Sequence, residues 1–309
     1  MAVTSGLHEV DRHQPQAGVI LPHQILGSDP GALVAFAQGV EQLGYGHVLL
    51  YDHVVGANTE SRPGWKAPYT VDDPFHEPFV TCGFLASATT RLEFATAVMV
   101  LPQRQTALVA KQAAEVAILS RNRFRLGVGL GWNEVEYEAM GVPWARRAAR
   151  YADQLELLRA LWANRAVSHA SDFHTITDAG ICPLPQAVPL WLGAGAAEPA
   201  LRRVAALADG WIPSMRTAGE AAPALARLAE ELRARGRSSE RFGVQARMIL
   251  RELPRESWRC QYDAWAVAGA THVALGVHGL GLEGVDDALR LLGSLHAELI
   301  KPCPASSMT

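Results

Sequence analysis

The chain has 309 residues, 49 % of them apolar and 19 % charged, with a formal net charge of −3. That balance can bury a sizeable core and excludes disorder as the main state. It contains no Lys/Arg-dense run, which argues against nucleic acid as a partner.

Cys82, Cys182, Cys260 and Cys303 form no CxxC pair and match no zinc spacing. Buried or incidental thiols in a reducing cytosol are therefore expected. The N-terminal stretch MAVTSGLHEVDRHQPQAG lacks the charged-then-apolar order of a signal peptide. No uninterrupted apolar run reaches the ~18 residues of a membrane span. The expectation is a soluble, cytoplasmic chain.

In chain order, AGVILP (17–22) predicts a buried strand. A helix follows, capped by Ser28 or Asp29, with Pro30 in its first turn and Gly44 as its stop. HVLLYDH (47–53) is the second strand, and the aperiodic, Pro- and Gly-rich stretch 54–78 is a long loop. Then come helix 77–90, strand 91–102, helix 104–120, strand 123–131, a short capped helix within 133–141 that ends at Gly141 and, after an irregular segment, helix 149–163. A second long irregular stretch covers 164–188. Strands at 189–195, 209–214, 241–250 and 271–277 then alternate with helices at 197–208, 219–236, 255–270 and 285–299.

Eight strands alternating with eight helices imply parallel pairing through crossover helices. Residues 1–309 carry no composition break, so one α/β domain is expected: a (β/α)8 TIM barrel with extended loops at its C-terminal face. An open doubly wound sheet is the rival. No dinucleotide fingerprint follows the first strand, which favours the barrel. The strand ends that would form its active face are Pro22–His23, Asp52–His53, Ala97–Leu101, Gly129–Trp132, Gly193–Ala197, Ile212–Ser214, the region near Leu250, and Gly276–His278. The long irregular stretches leave this same face, where they could roof a pocket.

Each motif has a chemical and a structural explanation. Asp52–His53 can bind a polar ring edge and move a proton, or be a cap and a surface histidine. TAVMVLP can back a flat aromatic cofactor, or be barrel core. GVGLGW has GxGxG spacing, not GxGxxG. It is a weak dinucleotide motif, but its glycines permit close approach by a ligand, or form a tight rim turn. GAGAAEP is a small-residue turn into a helix start, suited to a phosphate. Of eleven histidines none forms HExxH; His169 and His174 lie five apart in an irregular segment, and no metal is expected. There is no GxSxG elbow.

Three stretches, EQLGYGHVLLYDHVVG, RLEFATAVMVLPQRQTALVAKQAAEVAILSRNRFRLGVGLGWNEVEYEAMG and VPLWLGAGAAEPALRRVAALADGWIPS, resemble the bacterial luciferase-like flavin and deazaflavin oxidoreductases. The resemblance covers nearly the whole chain and is nearest to the actinobacterial branch that uses coenzyme F-420. It implies a barrel with an insertion within 164–188 and a flavin-like ring at the C-terminal mouth. Asp52 and His53 match the acid and histidine at the ring. Ala97–Val98 matches a non-proline cis peptide that bulges behind it. Leu130 and Gly131 are expected to flank the cofactor, and Gly193, Gly195, Ala196 and Ala197 match the phosphate turn.

The implied chemistry is hydride transfer between reduced F-420 and a small organic substrate. His53 would supply or accept the proton, and Asp52 would hold the ring or orient His53. Trp132, with Trp65 from the long loop, is expected to wall the substrate side. An FMN-dependent monooxygenase and a non-catalytic flavin-binding barrel are the alternatives. Members of this kind are often homodimers. Two departures stand out. Trp132 occupies a place where the sugar-phosphate dehydrogenase branch keeps an acid, and SRNRF replaces a glycine-containing turn. Glu134, Glu136 and Glu138 are expected to face helix and solvent. The loops 54–78 and 164–188 are expected to select the substrate.

Overall fold

The structure is a computed structural model that describes residues 14–300. Residues 1–13, part of the stretch read for a signal peptide, and Cys303 lie outside the described residues. The strands are β1 (Gln16–Ile20), β2 (His47–Leu50), β3 (Glu93–Thr96), β4 (Met99–Val100), β5 (Phe124–Gly129), β6 (Val167–Ala170), β7 (Thr175–Ala179), β8 (Leu190–Ala194), β9 (Gly210–Pro213), β10 (Gly243–Ile249) and β11 (His272–Gly276). The helices are α1 (His23–Leu26), α2 (Pro30–Gln42), α3 (Pro78–Ala88), α4 (Thr106–Leu119), α5 (Glu134–Ala139), α6 (Arg147–Ala163), α7 (Glu198–Leu207), α8 (Ala218–Ala234), α9 (Trp258–Val267) and α10 (Val285–Leu295).

The main sheet runs β3-β2-β1-β11-β10-β9-β8-β5-β4, and pairing of β3 with β5 closes it. All its pairings are parallel, for example Val19 with Leu275 and Leu49 with Ala95. β3 and β4 are two pieces of one barrel strand, so eight strand positions form the ring. This is the (β/α)8 barrel the alternation predicts.

Side-chain alternation builds its two apolar layers. Val48, Leu50, Phe94, Leu192, Trp211 and Leu275 point outward and meet the helices. Their neighbours Leu49, Ala95, Trp191, Ile212 and Ala274 fill the barrel interior. Each fully buried Leu, Val or Phe contributes roughly 1.5–3 kcal/mol relative to exposure.

Polar side chains close the barrel at the end away from the site. Arg125 lies 4.6 Å over Trp191 and 3.6 Å from Glu93. Burial, with a smaller contribution from Arg125, holds His47 and His272 neutral. This cluster seals the floor, leaving the C-terminal mouth for chemistry.

The helix ends follow local rules. Asp29 caps α2 by accepting the Gly31 N–H at 2.8 Å, Pro30 is its first residue, and Gly44 follows with φ +94°. Glu77 caps α3 by accepting the Val80 N–H at 2.7 Å. The SRNRF turn places Arg121 at φ +57° and Asn122 at φ +63°, left-handed positions that favour glycine. Arg123 ties the turn down by donating to the carbonyls of Ala86, Thr89, Leu92 and Ser120.

Several expectations are corrected. The predicted strand 91–102 is split into β3 and β4 at Ala97–Val98, whose peptide bond is cis, as the resemblance implies. The stretch 164–188 contains the antiparallel hairpin β6–β7. Asp153 of α6 anchors it, accepting from His169 at 2.8 Å and His174 at 2.5 Å. Those histidines serve the hairpin. Among the described residues there are ten α-helical segments: the eight crossover helices, the short capped helix expected within 133–141, which is α5, and α1, which was not expected. Among the described residues no helix is long and apolar enough to cross a membrane. Cys82 is buried, and Cys182 and Cys260 are exposed free thiols.

Candidate active site

A cavity of about 620 Å³ opens at the C-terminal end of the barrel strands. Its volume lies in the range of small-molecule sites. Asp52, His53, Ala97, Val98, Leu130, Gly131, Trp132 and Gly193 all line it. Gly195, Ala196 and Ala197 form the neighbouring β8–α7 turn, outside this lining.

Trp65 is a correction. The turn 62–65, closed by the Trp65 N–H donating to Arg62 O at 3.0 Å, carries its ring to a separate surface groove with Tyr137 and Trp144. Its ring centroid is 6.3 Å from that of Trp132, which does line the cavity.

The glycines have a nearer reason than ligand approach. A Cβ on Gly129 would lie 2.5 Å from Val98 Cγ2, and one on Gly193 would lie 2.6 Å from Val98 Cγ1. Gly131, at φ +69°, leaves room for Val100. These three absent side chains let the valines of the interrupted strand pack into the barrel mouth. With Leu21, Leu130 and Ile249 they give the cavity an apolar wall. A flat flavin-like ring fits that wall, and the remaining lining supplies polar groups for its edges.

His53 sits at the end of β2, its side chain 18 % exposed. Its Nδ1 lies 3.2 Å from Oε1 of Glu136, a residue only 1 % exposed. The same oxygen accepts the Val54 N–H at 3.2 Å and the Tyr69 hydroxyl at 3.0 Å, and Oε2 accepts from Gln103 Nε2 at 3.2 Å. A carboxylate receives donors here, so Nδ1 carries the ring proton and Nε2 is left free for a bound molecule. Tyr69 stacks on the ring at 3.8 Å and Phe75 meets it edge-on at 4.7 Å. Burial raises the Tyr69 pKa far above the ordinary phenol range, and Glu136 reinforces this, so Tyr69 remains a donor.

Two expectations about acids change. Glu136 was expected to face helix and solvent; it is the buried partner of His53. Asn133 caps α5 by accepting the Val135 N–H at 3.0 Å, and also donates to Tyr69 at 2.7 Å. That start point turns Glu136 and Tyr137 inward and leaves Glu134 and Glu138 outside. Asp52 does not orient His53. Its buried carboxylate accepts from the Val100 N–H at 2.9 Å and from Arg104 at 2.6 Å and 3.3 Å. It thereby braces the strand piece that follows the cis bond.

The loop 54–77 does roof the cavity, through Pro68, Tyr69, Asp73 and Phe75. His76 ties its end to α1, with the ring Nε2 donating to Gly27 O at 2.8 Å and the backbone N–H to His23 Nδ1 at 3.2 Å. His23 is buried and its pKa is pushed down to about 3, first by burial and then by its histidine neighbours, so the ring is neutral. The stretch 164–188 contributes no described residue to the cavity. The turns after β10 and β11 do, through Arg251, Glu252, His278 and Gly279. Among the described residues no group of three or more His, Cys, Asp or Glu side chains is placed to hold a metal.

An apolar-walled cavity at the C-terminal mouth, holding a carboxylate-anchored histidine, lies where barrel enzymes carry their active sites. The chain belongs to the luciferase-like monooxygenase family, whose model matches residues 5–290. It is 39 % identical over 189 residues to an uncharacterized protein of Mycobacterium tuberculosis, a match covering 58 % of this chain and 64 % of that one. The F420-dependent hydroxymycolic acid dehydrogenase of the same organism is 28 % identical over 237 residues, covering 75 % of this chain and 61 % of that one. An F420-dependent secondary alcohol dehydrogenase, solved with an F420–acetone adduct, superposes with a TM-score of 0.74 at 15 % identity, over 93 % of this chain and 100 % of that one. That last likeness concerns the fold.

Proposed function

We propose that this chain is an F-420-dependent oxidoreductase acting on a small organic substrate at the barrel mouth. The observation that carries this reading is His53, held at Nδ1 by Glu136 with Nε2 free, on the wall of a cavity backed by Val98. The name of the related hydroxymycolic acid dehydrogenase supports the deazaflavin. When bound, the cofactor supplies or receives the hydride.

The residues have separable tasks. Ala97 and Val98 back the ring, and Leu130 and Gly131 flank it. The turn Gly193, Gly195, Ala196 and Ala197 offers backbone N–H groups at the start of α7 to a phosphate. His53 Nε2 takes or gives the proton at the substrate oxygen or carbon. Glu136 stabilises the ring while it carries the extra proton. Asp52 holds the backstop in place through Val100 and Arg104. Trp132, Tyr69 and the loop 54–77 exclude water and shape the substrate side.

The family's description as monooxygenases supports a second reading, an FMN-dependent oxygenase. Anaerobic turnover of F-420 with small alcohols, ketones or activated alkenes is the result the first reading requires. Oxygen uptake with reduced FMN, and no F-420 turnover, would replace it with the second.

Val80 and Phe84 of α3 and Leu108 and Leu119 of α4 are exposed apolar side chains on neighbouring helices. We read them as the contact face of a homodimer. Light scattering is expected to give twice the chain mass at micromolar concentration; a monomer there contradicts the pairing.

A further inference from the structure

The cavity walls are chemically unlike. On one side stand Tyr69, Phe75 and Trp132. Across the ring from the backstop, β10 and the turn after it present Arg247 and Arg251. Among the described residues neither guanidinium is paired with a carboxylate. Arg247 is half-buried; its Nη2 donates to Pro213 O at 3.3 Å, and its buried Nε has no partner. Arg251 lies against Gly279 (φ +76°), where a Cβ would stand 2.6 Å from its Cδ. Gly279 thus gives this side chain its place at the cavity wall.

The carboxylates that share the lining are already engaged. Glu252 is 3.3 Å from Arg216, Asp52 is held by Arg104, and Asp73 accepts the Thr70 N–H at 2.7 Å. His278, on the same wall, has its pKa lowered by burial and then by Arg251, so it adds no cation. Arg247 also lines a side pocket of about 150 Å³ together with Tyr51 and Ser214. The wall therefore offers two positive charges without a carboxylate partner, together with hydroxyl donors, facing the aromatic side of the cavity.

We infer that the substrate carries an anionic group, a carboxylate or phosphate, that seats between Arg247 and Arg251, with its apolar part toward the aromatic wall. The inference rests on reading this cavity as the reaction site. Guanidinium groups recognise such oxygens by charge-assisted, often bidentate hydrogen bonds. A cofactor phosphate offers the same chemistry, so the test has two arms.

In the first arm, full-length protein is titrated calorimetrically with benzoate, phenyl phosphate and neutral benzamide, with and without FMN. The anions are expected to bind at least about tenfold more tightly than benzamide, the worth of one charge-assisted contact. Arg247→Met should erase that preference, and Arg247→Lys should keep part of it. Equal binding of charged and neutral probes, or a preference that survives Arg247→Met combined with Arg251→Met, overturns the inference.

The second arm compares FMN with riboflavin. An unchanged FMN-to-riboflavin affinity ratio in Arg247→Met supports the substrate assignment. A collapsed ratio gives the anion to the cofactor and overturns that assignment. If wild-type protein prefers the anions but binds neither F-420 nor FMN, the cofactor reading fails and the anion site stands.

Discussion

His53→Ala is expected to lower kcat by about 10²–10³-fold, within the usual contribution of a positioned general acid or base. Cofactor affinity should change by only a few-fold. The reason is geometric: His53 is fixed on its Nδ1 side by Glu136 and presents Nε2 to the cavity, while the apolar wall is built by other residues. Truncation removes the proton-transfer atom and leaves Val98, Leu130 and Gly193 where they are. Steady-state kinetics and a binding isotherm on the same preparation separate the two. Equal losses in turnover and binding would make His53 a binding residue, and unchanged turnover would remove it from the chemistry.

Glu136→Leu is expected to be the most damaging single change to the site. It strands four donors: the His53 ring, the Val54 N–H, the Tyr69 hydroxyl and Gln103 Nε2. Each buried donor left without a partner costs about 1–3 kcal/mol, so several kcal/mol of stability should be lost, read as a lower midpoint in urea. Glu136→Gln separates function from folding. Gln103 Oε1 is buried and without a partner, so a flip of that amide can satisfy the new NH2 group. The variant should fold nearly as well as the parent yet lose at least about tenfold in kcat, because the negative charge that stabilises a protonated His53 is gone. In a His53→Ala background the same change should add little, the signature of two residues acting as one unit. Additive losses would show that Glu136 acts apart from His53.

The barrel was legible because its strands are short, apolar and punctuated by capped helices, as around Asp29, Pro30 and Gly44. Strand ends then placed Asp52, His53, Val98 and Trp132 on one face. Other features left no trace in the pattern. The hairpin of β6 and β7 is mostly polar, and only Val167 and Ile176 reach the core, so 167–179 holds too few apolar residues to show a strand pattern. Glu136 was hidden by the run Glu-Val-Glu-Tyr-Glu, where only the cap at Asn133 decides which glutamate turns inward. Tyr69, Phe75 and His76 come from an aperiodic loop whose path depends on tertiary contacts with Glu136 and Gly27. Gly129 and Gly193 are glycines because Val98 fills their space, a relation between residues distant in the chain. Arg247 was read as part of an ordinary strand, since strand periodicity says nothing about which barrel position faces a cavity.

The function proposed for this cavity is that of a deazaflavin site. Titration of the purified protein with oxidised F-420 and with FMN, followed by equilibrium binding, tests it most directly. A deazaflavin site should bind F-420 saturably, one per chain, more tightly than FMN, and less tightly once Val98→Trp fills the backstop. Binding of FMN alone, or F-420 binding indifferent to Val98→Trp, would contradict it.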